Sequence, residues 1–322
     1  MIHGMMLRMQ TSKLSRRLIV VCALIASVVL NAPSRAQSIA SVVDPAWLIA
    51  NLTDPDIVVV DLRRDADYRA GHLRGAVNID PTSAELRPRG ADGLPRLPIP
   101  EEFGARMGIL GIASKQKIVL VSRGESWMDA ATATDYFWLF KRMGHADVVI
   151  LDGGFKGLVA IPGAFIRQGA EVRAQTTYMV SAPLVSGIRI ADLREQRPGL
   201  VLLDGRLRGR FLGINKTPVI PRYGTIPGSR SLPANWMTVD AGGRFRTVDD
   251  LRAILKFTGV PEGGPIVVFG NTSLAGSLAW FALRVILGNR DVRLYHAGML
   301  EWSQDPSNPL DVLRDNEEVQ RP

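Results

Sequence analysis

The chain has 322 residues, of which 46% are hydrophobic and 22% charged, and a net charge of +8. That length holds two ordinary cores, and that balance excludes a disordered polyelectrolyte. Arg8, Lys13, Arg16, Arg17 and Arg35 put +5 into residues 1–36, which contain no acid, so +8 less +5 leaves +3 for the rest. So small a surplus without a basic run argues against a phosphate-binding face, and nucleic acid is not expected as a partner.

Residues 1–36 predict an export signal. A basic stretch ends in Arg16-Arg17, an apolar run extends from Leu18 to Leu30, and Pro33 precedes the small-x-small site Ser34-Arg35-Ala36. The run is shorter than the roughly eighteen residues needed to cross a bilayer. Cleavage near Gln37 is therefore expected, giving a periplasmic or secreted chain with no permanent membrane span. Ser15-Arg16-Arg17-Leu18-Ile19 suits a twin-arginine route as well as the general secretory one, and the choice stays open. The single cysteine, Cys22, lies inside the apolar run after Val21, whereas lipid attachment favours a small preceding residue. Cleavage then removes the only thiol, and with it disulfides, thiolate metal sites and cysteine nucleophiles.

Asp44 to Leu52 reads as an opening helix with Asp44 as its cap and Pro45 in its first turn. The β-branched run Ile57-Val58-Val59-Val60 ends in Asp61-Leu62-Arg63, and the turn motif Gly71-His72-Leu73-Arg74-Gly75-Ala76-Val77-Asn78 follows. Lys117 to Val121 predicts a second strand, which meets the polar loop Ser122-Arg123-Gly124-Glu125-Ser126 and then a helix-like stretch rich in alanine and aromatics. Gly144-His145-Ala146-Asp147-Val148 and Gly153-Gly154 close this half.

The plan then repeats in the same order. Leu200-Val201-Leu202-Leu203 ends in Asp204-Gly205-Arg206, with Asp204 143 residues after Asp61. Gly224-Thr225-Ile226-Pro227-Gly228-Ser229-Arg230-Ser231 follows at a spacing of 153, the strand Pro265 to Phe269 at 148, and Gly288-Asn289-Arg290-Asp291-Val292 with Ala297-Gly298 at 144. Order held through four landmarks marks an internal repeat with a ten-residue insertion. Apolar runs alternating with amphipathic stretches predict an α/β fold made twice, each copy a mainly parallel sheet flanked by helices. The expected domains are 39–160 and 181–315, with 161–180 as a linker.

These landmarks resemble the tandem-domain rhodanese family, the thiosulfate and 3-mercaptopyruvate sulfurtransferases. The resemblance rests on Asp61-Leu62-Arg63, Gly71-His72-Leu73-Arg74-Gly75-Ala76 and Leu151-Asp152-Gly153-Gly154-Phe155 in the first half. In the second it rests on Asp204-Gly205-Arg206, Arg210-Phe211, Ile226-Pro227-Gly228 and Gly298-Met299-Leu300-Glu301-Trp302. It implies an inactive first domain, and a second domain whose cysteine, at the end of the central strand, carries sulfur as a persulfide beneath a ring of backbone amides.

Aligned on that strand, Gly270 stands where the resemblance places the cysteine, followed by Asn271-Thr272-Ser273-Leu274-Ala275. Glycine has no nucleophile, and a hydroxyl does not form the exchangeable sulfur–sulfur bond the cycle needs. Thr225 replaces the family's usual histidine, and Gly157 a common tryptophan. The expectation is a rhodanese-fold pseudoenzyme acting as a binding or accessory module. The alternative is a sulfurtransferase, or another anion-processing enzyme, that uses a non-cysteine route.

Gly270, Asn271, Thr272, Ser273, Leu274 and Ala275 are candidates for an amide cradle holding a small anion or sulfur compound, the other reading being a solvent-filled turn. Arg210 lies, by resemblance, beside the substrate pocket and is a candidate anion ligand. Asp61 with Arg63, Asp204 with Arg206, and His72 are expected to order loops. No cofactor or metal is expected, because His72, His145 and His296 share no ligand spacing. Trp127, Trp138, Trp280 and Trp302 read as core or interface residues, and an exported protein partner stays open.

Overall fold

Apolar runs bounded by polar turns become short strands buried on both faces. The computed structural model describes residues 41–313 apart from 163, 196–197 and 240–241, so the expected export signal lies outside the described residues. In chain order the strands are β1 (Val42–Val43), β2 (Ile57–Asp61), β3 (His72–Leu73), β4 (Val77–Asn78), β5 (Lys117–Val121), β6 (Val148–Leu151), β7 (Ile166–Arg167), β8 (Val201–Asp204), β9 (Arg230–Ser231), β10 (Ile266–Phe269) and β11 (Val292–Tyr295). The first half forms a parallel sheet ordered β1-β6-β5-β2-β4 and the second a parallel sheet ordered β11-β10-β8-β9. Two sheets flanked by helices match the expected α/β repeat. Val58 to Val60, Ile118 to Val121, and Ile266 to Phe269 are buried without a break, as parallel strands covered on both faces must be.

Local signals set the helix ends. Asp44 accepts the Trp47 N–H at 2.8 Å and Pro45 opens the helix Pro45–Ala50, which satisfies one of the orphan amides of a first turn. The helix Trp127–Arg142 starts from a capping box in which Ser126 and Asp129 exchange bonds.

The halves meet through Trp127–Arg142 and the helix Ser273–Trp280, which continues as a π-helical turn, Phe281–Ile286. Phe137 packs edge-on to Phe281 at 5.0 Å, and the buried hydroxyls of Thr134 and Ser277 lie 3.1 Å apart. Ala130, Ala131 and Ala133 are buried on the first helix, and their small side chains permit this close approach. Trp138 and Trp280 are fully buried, and Trp138 stacks on His296.

Each half also sends a hairpin across. Leu94, from the hairpin bridged at Arg89 and Pro95, packs with Ile220, Val267 and Phe269 of the second half. In return Phe245, bridged to Thr238, donates its N–H to Asp152 Oδ1 at 2.9 Å. A Cβ on Gly243 would lie 2.6 Å from Gly124 Cα, so here backbone meets backbone.

The 161–180 segment, expected as a linker, is laid along the first half. Its β7 pairs antiparallel with β3, and Thr176 N–H donates to Gly108 O at 3.0 Å. Tyr178 Oη donates to His145 Nδ1 at 2.8 Å, while His145 Nε2 donates to Gln116 O at 2.8 Å. The polar composition of this segment marked a connection without revealing what its backbone bonds to.

Candidate functional site

The two strand-end motifs adopt one geometry. Arg63 Nε and Nη2 donate to the Asp61 carboxylate at 3.0 and 2.6 Å, and Arg206 repeats those distances to Asp204. The second N–H of each Nη2 donates to a turn carbonyl, Gly71 O at 2.6 Å and Gly224 O at 2.7 Å. Both pairs are buried, so their charges are matched internally. His72 is fully buried, stacks on Tyr68 and donates from Nδ1 to Tyr68 O at 2.9 Å. In the corresponding turn Thr225 Oγ1 donates to Asp204 Oδ2 at 2.8 Å, a different anchor for the same corner.

Strand register fixes which loop residues correspond. Asp61 pairs with Val121 across β2 and β5, and Asp204 pairs with Phe269 across β8 and β10. Ser122 therefore matches Gly270, and Arg123 matches Asn271. The loops are tied down alike: Phe155 and Lys156 N–H donate to Ser122 O and Arg123 O at 2.7 and 3.0 Å, while Met299 and Leu300 N–H donate to Gly270 O and Asn271 O at 2.9 Å. Gly298, with φ of +60°, is required there, because a Cβ would come within 2.4 Å of Gly270 O.

Above this shared base the loops differ. In the first half Asp129 Oδ2 accepts from Glu125 N–H at 3.0 Å and Ser126 N–H at 2.8 Å, so a carboxylate of the chain itself fills the place where amides face an anion. The signature Ser126-x-x-Asp129 was present in the sequence as a capping box and was not used there. In the second half Thr272 caps the helix Ser273–Trp280 without a side-chain bond, and its first turn holds no acid. Asn271 to Ala275 are half-buried and open in part to solvent.

Charges at the mouth are exchanged as well. With Asp61 matching Asp204, Asp67 matches Arg210. Arg123 pairs with Asp67 across the first mouth. In the second half the matching positions are Arg210 and the neutral Asn271, and among the described residues Arg210 has no ion-pair partner. Asn271 Nδ2 donates to Thr217 Oγ1 at 3.1 Å, while its buried Oδ1 has no partner. Sequence reasoning singled out Arg210 and the loop; it missed Asp67, Arg123 and Asp129, whose roles emerge only when the halves are superposed.

Space at Gly270 is limited. A Cβ there would lie 2.9 Å from Thr272 O and 3.1 Å from both Ala275 Cβ and Gly276 N. The first contact is tighter than a backbone carbonyl tolerates, so any side chain at this position requires the loop to move. Among the described residues no three of His, Cys, Asp and Glu gather as metal ligands, and no helix is long and apolar enough to cross a membrane.

A doubled parallel α/β domain, with its loop at the carboxyl end of an inner strand leading into a helix N-terminus, defines a protein of the sulfurtransferase architecture. The Rhodanese-like domain model matches residues 44–160 and 190–305, and the chain belongs to that family. It is 28% identical over 287 residues to the sulfur carrier protein TtuD of Thermus thermophilus, covering 82% of this chain and 94% of the relative. It is 28% identical over 295 residues to the thiosulfate sulfurtransferase of Corynebacterium glutamicum, covering 84% and 90%. Its fold is similar to that of the 3-mercaptopyruvate sulfurtransferase SseA of Escherichia coli, with a TM-score of 0.67 at 24% identity over 80% of this chain and 97% of that one.

Proposed function

We propose that this rhodanese-family protein is exported and acts as a binding module that holds a small oxyanion or sulfur compound in its second-half loop without passing sulfur through a cysteine persulfide. One observation carries the reading: the sequence contains a single cysteine, Cys22, and none in either domain. A persulfide relay needs a thiolate on the polypeptide. The tight approach of Thr272 O to a Cβ at Gly270 supports the same reading, because the loop has closed on the position that the resemblance aligns with the nucleophile. Binding is supported by Arg210, which has no ion-pair partner among the described residues, and by the first turn of Ser273–Trp280, which no side chain caps, since guanidinium and backbone amides together suit an oxyanion. The stretch of Arg16-Arg17 followed by Leu18 to Leu30 supports export.

The mature protein is to be incubated with thiosulfate and cyanide, and separately with 3-mercaptopyruvate and a thiol acceptor. The expected results are no thiocyanate or sulfide at family-like rates and no sulfur adduct by mass spectrometry; either product overturns the reading. Calorimetric titration with thiosulfate and sulfate is expected to show one weak site that Arg210→Gln weakens. Gly270→Cys is expected to fold with reduced stability and to stay slow, because the thiol arrives without the loop geometry it needs. Export is checked by the mass of the protein recovered outside the cytoplasm, expected to begin near residue 37.

A further inference from the structure

We infer that the rim of the second-half loop is a docking surface for a polypeptide segment that carries carboxylates beside apolar side chains. The inference rests on the proposed binding reading, because Arg210 belongs to both, and it extends that site from a small anion to a protein partner.

Backbone bonds draw the rim together. After the turn of helix Arg208–Phe211, Ile214 and Asn215 N–H both donate to Gly209 O, at 2.9 and 3.3 Å. Thr217 then reaches Asn271 of the loop, and Leu313 N–H donates to Leu212 O at 3.0 Å, which brings the end of the described chain alongside. Three cations stand on this rim: Arg208, Arg210 and Lys216. Among the described residues none of them pairs with a carboxylate; the one contact of Lys216 is the Tyr223 ring, 5.4 Å away. At the matching positions of the first half Arg123 is paired with Asp67, whereas Arg210 has no such carboxylate among the described residues.

Apolar side chains share the rim. Ile214 is 56% exposed and Leu313 53% exposed, with Leu207 more than a third exposed at the other side of Gly209. Apolar groups gathered at one place beside unpaired cations mark a surface that another molecule covers. A small anion would engage Arg210 and the loop amides but leave Arg208, Lys216 and the apolar groups in water. Nucleic acid would use the cations and not the apolar groups. An anionic membrane binds through clusters of about four to eight cations or an amphipathic helix, and this rim has neither. A segment alternating carboxylates with aliphatic side chains meets both sets of groups at once, and charge complementarity of this kind fixes the register of partners.

The probe is a fluorescein-labelled acidic peptide rich in Glu and Leu, compared with its Gln counterpart by fluorescence anisotropy. The full chain is expected to bind the acidic peptide, to bind the Gln peptide at least about tenfold more weakly, and to lose affinity as salt rises. The double variant Arg208→Glu, Lys216→Glu is expected to lose about tenfold or more toward the peptide while keeping its titration with thiosulfate, since neither residue lies in the loop. Circular dichroism checks its fold, and Arg208→Gln with Lys216→Gln serves if it does not fold. Equal binding of both peptides, equal binding by the variant, or preferential binding to phosphatidylglycerol vesicles overturns the docking surface. Thiosulfate bound with no peptide bound overturns this inference alone and leaves the anion site standing, whereas neither bound removes both.

Discussion

The first-half loop and the second-half loop share a strand register, a buried Asp–Arg corner and a pair of carbonyls held by the next helix, yet they treat charge oppositely. The first is occupied by its own groups: Asp129 takes the loop amides of Glu125 and Ser126, and Asp67 takes Arg123. The second has no acid in its first helical turn, and its cation at the matching position, Arg210, has no ion-pair partner among the described residues. One scaffold thus supports a loop that satisfies its own charges and one whose first turn carries no acid, and two carboxylates make the difference. Duplication preserved the parts that hold the backbone and freed the parts that meet solvent.

The largest expected effect tests what the halves have in common. Asp61→Ala and Asp204→Ala each leave a buried guanidinium without its partner, and each is expected to cost about 3–5 kcal/mol in a denaturant titration. Unequal losses would mean that Thr225, bonded to Asp204, and His72, bonded elsewhere, make the corners energetically different.

Opening the first-half loop is the next test. Asp129→Ala removes the N3 half of the capping box around Ser126 and is expected to cost about 1 kcal/mol. The same change should allow sulfate to bind the first half, seen as a second site by calorimetry; if none appears, the Arg123–Asp67 pair alone is enough to seal the mouth.

Acid acts on both halves through the imidazoles of His145 and His296, which the fold desolvates. Burial pushes His145 in the first half and His296 in the second below the usual histidine range. The unfolded chain therefore takes up protons near pH 6.5 that the folded chain resists. The stabilisation is complete above about pH 6.5 and is lost as the pH falls through the lowered folded-state values. Denaturation midpoints measured down the pH scale should show this loss, and His145→Gln should flatten part of it, since Tyr178 then keeps a neutral acceptor.

The smallest expected effect on stability separates binding from folding. Arg210→Gln is expected to leave the unfolding midpoint within about 0.5 kcal/mol of the parent, because the side chain has no ion-pair partner among the described residues. Its thiosulfate affinity should fall about tenfold, near 1.4 kcal/mol. A clear loss of stability would show that Arg210 holds the fold and would close the second loop to the proposed role.

Much of this was legible from residues. Ile57–Val60 and Pro265–Phe269 declare buried parallel strands by being apolar without interruption, and Asp44 with Pro45 declares a helix start, because these signals lie within a few neighbouring positions. The tie between 161–180 and the first half was not legible, since Tyr178 meets His145 across 33 residues and its own neighbourhood carries no sign of that contact. The candidate site was half visible: Arg210 and Gly270 to Ala275 by motif, but not the contrast that gives Arg210 its meaning.

What the chain's composition and order determined by themselves were the doubled α/β plan and the lack of a thiol in either domain, because apolar periodicity and residue identity need no partner to be read. The tertiary structure alone decided which cations are spent and which are free. Arg123 and Asp67 are 56 positions apart, and whether a charge is neutralised depends on distances through space that only the packed sheets and the exchanged hairpins set.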